Sequence, residues 1–511
     1  MSLQTLHLDV LVEILTYLEV CDILALQRTR KDIRDVTRLH AVWKNVLEKQ
    51  IIPSGESLSL PSGVLLSDLS VGELKQAAIY AARLQRNWAS EVPRVFTYTE
   101  FPVAVPSAYV QIAFLLPGQG GKYLLTISGG NVVSIWHLEP NLRRSRRILI
   151  WGTSGAIVKA VPNSDSGDRA TIALSHVADQ REHTTLYNLT FAENDRGKTT
   201  VHYEKIFEEE LPGRLKILRG NLIGLYRGSN FRGYLFNYRR QVMIELKGAQ
   251  PITRFRGALG FPAMEVLSDC VIIIQPFSVD IFALPDIAWN TEPQLPETDS
   301  VFQAQLISSA FLPEMVDWQS GIIIPYCAPY PAQRTSPPSQ PISILVREKR
   351  GKLHIMNHFY VYNPPKYDPK SLRLHAHLSI TAASPGSFIE TPLFVAQHRA
   401  GVHPHFFYDI VASPRSGRGL WLENTTSPVM SRSLERLILF NVGENVVDDF
   451  PLSDIGLFDN SESTCRGAKA GGSNVPDGVR NCSYCSFDDG TGRVVVATHD
   501  GRIRVLQFGI A

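Results

Sequence analysis

Apolar residues follow helical spacing over residues 6–47 and strand-like spacing beyond Pro93. In the first stretch Val10, Leu11, Ile14, Leu15 and Leu18 fall at i, i+1, i+4, i+5 and i+8, one stripe along a helix. Asp22 is placed to cap a second helix carrying Ile23, Leu24 and Leu26. A third helix is expected over roughly 29–39, with Trp43 in the last turn of the segment. The stretch IIPSGESLSLPSG then reads as a loop, and VGELKQAAIYAARLQRNWA (71–89), built from good helix formers, predicts one longer helix.

Past Pro93, short runs such as YLLTISGG, VVSIWHL, TIALSHV, CVIIIQP and RVVVATHDG recur between Gly, Pro, Asn and Asp. About four hundred residues of this texture are too many for one sandwich and suit radial repetition of four-stranded units. Seven candidate units span 109–151, 157–208, 214–246, 263–307, 321–380, 405–447 and 482–508, with six or eight left open. The last supplies only about three strands, and RVFTYTEF (94–101) is available as its missing outer strand. Closing the ring in that way leaves no open sheet edge. Three polar segments, NTEPQLPETDS, PYPAQRTSPPSQP and DNSESTCRGAKAGGSNVPDG, read as long loops. The expected organisation is an α+β multidomain chain: a three-helix domain at 1–50, a linker at 51–92 with its helix at 71–89, and an all-β propeller at 93–511.

Composition narrows the partners. The 51 basic and 49 acidic side chains leave a formal charge of +2, so no global field calls for nucleic acid or an anionic membrane. No run approaches the ~18 apolar residues of a membrane span. Asp9, Glu13 and Glu19 interrupt the N-terminal apolar positions, unlike a signal peptide. The six cysteines are sparse and irregularly spaced, which fits reduced thiols in cytoplasm or nucleus.

The segment LHLDVLVEILTYLEVCDILALQRTRKDIRDVTRLHAVWKNVL resembles an F-box over about forty residues. It departs from the family in having His7 after Leu6, where Leu-Pro is usual. The helix ending RLQRNW resembles the linker of F-box proteins that carry WD-repeat propellers. VVVATHDGRIRVLQF and VVSIWHL resemble WD-type passages, although most units lack the Trp-Asp dipeptide. The resemblance implies a substrate-recruiting subunit of an SCF-type ubiquitin ligase, docked on the Skp adaptor and through it on the cullin scaffold. Its adaptor contacts would be Leu6, His7, Val10, Leu11, Ile14, Leu15, Leu18, Ile23, Leu24, Leu26 and Trp43. Physics adds a separate point: three short helices cannot enclose all their apolar side chains. Each buried Leu or Ile is worth about 1.5–3 kcal/mol, so a stripe left in water drives association. The competing reading packs these helices onto the propeller as a cap.

Candidate chemistry is sparse. CSYC (482–485) lacks the second pair of a structural zinc site, and strand residues three apart point to opposite faces. His398, His403 and His405 cluster without an acidic ligand. LRRSRR (142–147) is the densest basic run, read as a solvated turn in preference to an import signal or anion patch. GQGG (118–121) has no helix after it and is a turn. No nucleophile elbow, phosphate loop or paired-carboxylate motif appears, so no enzyme activity, cofactor or metal is expected. Target contacts are expected from turns at one end of the ring, where Arg181, Arg227, Arg232, Arg254 and Arg256 fall and where bidentate guanidinium contacts suit a phosphorylated target. The alternatives are a scaffold that uses the F-box without ligase work and a propeller hydrolase.

Overall fold

The computed structural model describes residues 6–52, 58, 60, 64–90, 93–103, 109–139, 145–164, 170–193, 199–227, 232–247, 263–267, 270–274, 278–285, 301–311, the strands between 318 and 456 named below, 482–498 and 501–509. The N-terminal segment forms four short helices: α1 Leu8–Leu15, α2 Val20–Leu26, α3 Lys31–Val36 and α4 His40–Val46, the last running on as a π turn over Leu47–Ile51. The expected third helix is therefore cut short. Leu39 is extended, a fresh helix starts at His40, and Trp43 sits inside it, donating from Nε1 to the Thr37 carbonyl at 2.7 Å. Asp22 does not cap α2. It lies in the first turn, where its charge favours the helix N-terminus, and the N-cap position is Glu19. Leu18 falls beyond α1, in the turn to α2.

Helix α5, Val71–Trp88, opens with a capping box: Ser70 Oγ accepts from Glu73 N, and Ser70 N donates to Glu73 Oε2 at 2.8 Å. Its two halves serve different cores. Leu74, Ala78 and Ala81 pack with Leu15, Ile23, Val42, Trp43 and Val46 of the helical module. Leu84 and Trp88 pack with Val494, Val496 and Phe508 of the β region.

The β region comprises seven antiparallel sheets among the described residues. Sheet I is Val110–Leu115, Tyr123–Ser128, Val132–Leu138 and Ser145–Gly152. Sheet II is Ala156–Pro162, Ala170–Ala178, Arg181–Glu193 and Thr199–Glu209. Sheet III is Arg214–Arg219, Leu222–Arg227, Arg232–Asn237 and Val242–Leu246, edged by a short parallel strand, Phe302–Gln303. Sheet IV is Ala263–Val266, Cys270–Ile274, Ser278–Ala283 and Leu306–Phe311. Sheet V is Trp318–Pro325, Gln340–Glu348 and Leu353–Tyr362, with an outer strand in two pieces, Arg373–Leu374 and Leu393–Arg399. The fifth unit thus runs past 380, because an insertion splits its last strand. Sheet VI is Val411–Ala412, Arg418–Thr426, Ser433–Asn441 and Leu452–Gly456. Sheet VII is Cys482–Asp488, Arg493–Thr498 and Arg502–Gln507, completed by Thr97–Pro102, which pairs antiparallel with Arg502–Gln507.

The first strands pack against one another in chain order from sheet II to sheet VII, and the first strand of VII packs on that of I. Sheets I and II are joined where Gln111 Nε2 donates to the Ile157 carbonyl at 2.7 Å. A cycle of four-stranded meanders closed by a strand from the other end of the chain is a β-propeller. Its core is divided between the sheets. Leu125, Ile127 and Ile135 of sheet I face Ile157, Ile172 and Leu174 of sheet II. Leu124 and Ala113, one residue out of step, face Val495 and Val505 of sheet VII. The inner strands YLLTIS and CVIII are covered on both faces and buried at every position instead of alternating with polar residues. Of the three segments expected as long loops, NTEPQLPETDS and DNSESTCRGAKAGGSNVPDG lie outside the described residues, as does PYPAQRTSPPSQP up to Ser339. The last two residues of that segment, Gln340 and Pro341, belong instead to the second strand of sheet V, where they pair with Val361 and Tyr360.

Candidate functional site

Two surfaces carry unsatisfied chemistry, one apolar on the helices and one cationic on the sheets. The first follows from the shortness of α1, α2 and α3. Leu15, Ile23 and Trp43 are buried in the module's own core, so these three brace the surface from within. Leu11, Ile14, Leu15, Leu26, Ile33 and Val36 line a shallow apolar depression that is open to solvent. On the short helix α1 and its exit, Leu8, Val10, Ile14 and Tyr17 are 47%, 45%, 38% and 77% exposed. Leu6, Leu18 and Leu24 are half-buried and His7 is exposed, with Nδ1 3.2 Å from Asp9. Leu8, Tyr17, Ile33 and Val36 belong to this surface too. The i, i+4 count along one helix passed over them because the depression is shared by three helices.

Polar ties join α1 and the turn after it to the π turn. Lys49 Nζ meets both Glu13 carboxylate oxygens at 3.0 and 3.2 Å, and that bond holds the Glu13 carboxyl below the usual range. Gln50 Nε2 donates to the Leu18 carbonyl at 3.0 Å, fixing the turn after α1 to the end of the π turn. Lys75 of α5 lies 5.7 Å over the Trp43 ring.

Helix α5 connects this surface to the propeller through polar as well as apolar contacts. Tyr80 donates to the Thr491 carbonyl and accepts from Gln507 Nε2 at 3.0 Å; burial pushes its phenol up to about 12, so it stays a donor. Asn87 bonds Arg94 and Phe508, which flank the two ends of the propeller chain. Gln85 accepts from Arg418, whose guanidinium also meets buried Asp489 at 3.2 Å. Gly509 is required here, because a Cβ would strike the Tyr80 ring.

The cationic surface lies at the turns joining second to third strands. In sheet II, Asp179 and Gln180 turn with φ of 51° and 64°, and exposed Arg181 follows, paired with Glu210 at 3.3 Å. In sheet III, Arg227 and Arg232 sit directly opposite each other across the hairpin. Arg232 is neutralised by Glu245 at 2.7 Å. Exposed Arg227 has no partner among the described residues, nor has Arg214, which begins the adjacent first strand beside Tyr226. No local pattern singles out Arg214; only the register places it next to Arg227. Arg254 and Arg256 lie outside the described residues.

Other sequence candidates resolve simply. Cys485 is buried and in no disulfide, and a register shift between Cys482 and Tyr484 interrupts the strict alternation assumed for the CSYC strand. His398 lies on the last strand of sheet V, while His403 and His405 fall outside the described residues. Arg147 stacks 6.0 Å from the Trp136 ring on sheet I, within a strand and not a turn. Trp136 itself donates to Thr126 Oγ1 at 2.9 Å in the interior. Among the described residues, no helix is long and apolar enough to cross a membrane.

No protein-family model matches the chain, and no curated protein matches it. Among solved structures it is similar to the WD40 domain of SCAP from fission yeast, at 10% sequence identity and a TM-score of 0.40, over 78% of this chain and 82% of that one.

Proposed function

We propose that this protein is the substrate-recognition subunit of an SCF-type ubiquitin ligase in cytoplasm or nucleus. The helical module docks as an F-box on the Skp adaptor, which joins it to the cullin scaffold, and a seven-bladed propeller recruits the target protein. The observation that carries this reading is the open apolar depression of Leu11, Ile14, Leu26, Ile33 and Val36, with Leu8, Val10 and Tyr17 exposed on α1 and its exit. A WD40-like propeller is a protein-interaction fold, and the shared helix α5 supports a fixed direction between adaptor and target. Target contacts fall to the second-to-third strand turns. There Arg227 and Arg214 offer guanidinium groups to an acidic or phosphorylated segment, with Arg181 and Arg232 as paired neighbours.

The test is co-purification of the full chain with the Skp adaptor and cullin scaffold, followed by ubiquitin transfer. Wild type should co-purify with the adaptor. Ile14→Asp should lower adaptor affinity at least tenfold without altering the circular dichroism spectrum, since Ile14 is 38% exposed and lines the depression. Failure of wild type to bind, where a control F-box binds, refutes the reading. Binding without ubiquitin transfer assigns the scaffold role instead.

A further inference from the structure

Arg240 is only 5% exposed, yet its Nε and Nη2 have no hydrogen-bond partner among the described residues. The other deeply buried arginines are treated differently. Arg493 spends Nε on Gln507 at 2.8 Å, Nη1 on the Gly121 carbonyl at 2.6 Å and Nη2 on the Glu139 carbonyl at 2.8 Å. Arg418 meets Asp489 and Gln85. Among the described residues, the other deeply buried guanidinium groups are bonded, whereas Nε and Nη2 of Arg240 are not.

Local structure aims the side chain inward. The turn NYRRQ joins the third and fourth strands of sheet III, and wholly buried Asn237 accepts from Arg239 N and Arg240 N, both at 3.1 Å. Gln241 closes the turn at φ 59° and donates from Nε2 to the Tyr238 carbonyl at 2.8 Å. Arg239 is consequently exposed and Arg240 buried. The two unpartnered nitrogens are the ones on the same edge of the guanidinium plane. That edge grips two oxygens of one carboxylate or phosphate side by side.

We propose that Arg240 anchors an oxyanion site at the third-to-fourth strand turn of sheet III, taking a group that presents two oxygens, phosphate or carboxylate. It lies at the opposite end of the sheet from the Arg227 hairpin, and it is independent of the adaptor reading. Both nitrogens are sealed from solvent in the observed state. Entry therefore requires the turn at 238–241 to lift, with exposed Arg239 drawing the anion to it.

The experiment titrates the full-length protein with sodium phosphate, sodium acetate and sodium chloride at equal ionic strength, following the thermal midpoint. Wild type should show a saturable rise with phosphate or acetate beyond chloride, as linkage requires of a ligand that binds the native state. The oxyanion that gives it identifies the ligand class. Arg240→Gln should lose the saturable rise, with apparent affinity down at least tenfold, and its midpoint without oxyanion should equal or exceed that of wild type. Arg240→Lys, which keeps the charge but not the two-pronged edge, should also lose most of the response; it serves if the glutamine variant fails to fold. Line broadening of the phosphorus resonance by wild type gives a direct second reading of phosphate. Equal responses of wild type and both variants, or no saturable rise with either oxyanion, overturn the proposal.

Discussion

Asn87 near the end of α5 ties together the entry and exit of the propeller. Its Nδ2 donates to the carbonyls of Arg94 at 2.9 Å and Phe508 at 2.8 Å, and its Oδ1 accepts from Arg94 N at 2.8 Å. Asn87→Ala removes all three bonds. The Phe508 carbonyl accepts in the interior and is left unsatisfied at a cost of about 1–3 kcal/mol, whereas Arg94 is exposed and each of its groups loses a net ~0.5–1.5 kcal/mol. Alanine is the better helix former and returns about half a kcal/mol. The expected loss is about 2–5 kcal/mol, measured by urea unfolding with far-UV circular dichroism and tryptophan fluorescence. Arg83→Ala, an exposed change on the same helix, should stay within about 0.5 kcal/mol. A loss below about 1 kcal/mol for Asn87→Ala would show that the closing strand and last sheet hold without the helix, and the reasoning would fail.

Glu265, on the first strand of sheet IV, is pushed up to about 7 by burial, with Arg219 at 3.7 Å only partly offsetting it. A carboxyl raised above its unfolded value contributes stability at low pH that is lost as pH climbs through about 7. Between pH 5 and 8 wild type should therefore lose about 2–3 kcal/mol relative to Glu265→Gln, trimmed because a fifth of the side chain still reaches solvent; parallel pH profiles would contradict this. Arg227→Glu should abolish capture of a phosphorylated peptide library while adaptor binding is unchanged. Undiminished capture would remove the sheet III hairpin from the target surface.

Much of this architecture is legible because it depends on local pattern. The capping residues Ser70 and Glu73, the helix formers after them and the apolar runs of the inner strands each announce their element. What misled was also local. Leu15 and Ile14 are neighbours on one predicted stripe and both line the depression, yet one is buried in the module's core and the other is 38% exposed. Periodicity identifies a face as apolar without saying which neighbour covers it. Likewise Trp43 reads as the end of a helix and is instead a core residue of its own helix, held by Thr37.

The sequence by itself determined the change from helical to strand periodicity, the repeated four-strand units and the near-neutral charge, since each is a property of residues close in the chain. Only the tertiary structure decided that α5 belongs to two cores, that Arg214 joins Arg227, and that buried Arg240 has no partner among the described residues for its Nε and Nη2 while Arg493 and Arg418 are bonded. Those outcomes depend on contacts between segments far apart in the chain. Arg493 reaches Gly121 and Glu139, and Asn87 reaches Phe508. Desolvation and pairing exist only once such segments meet, and no local pattern encodes them.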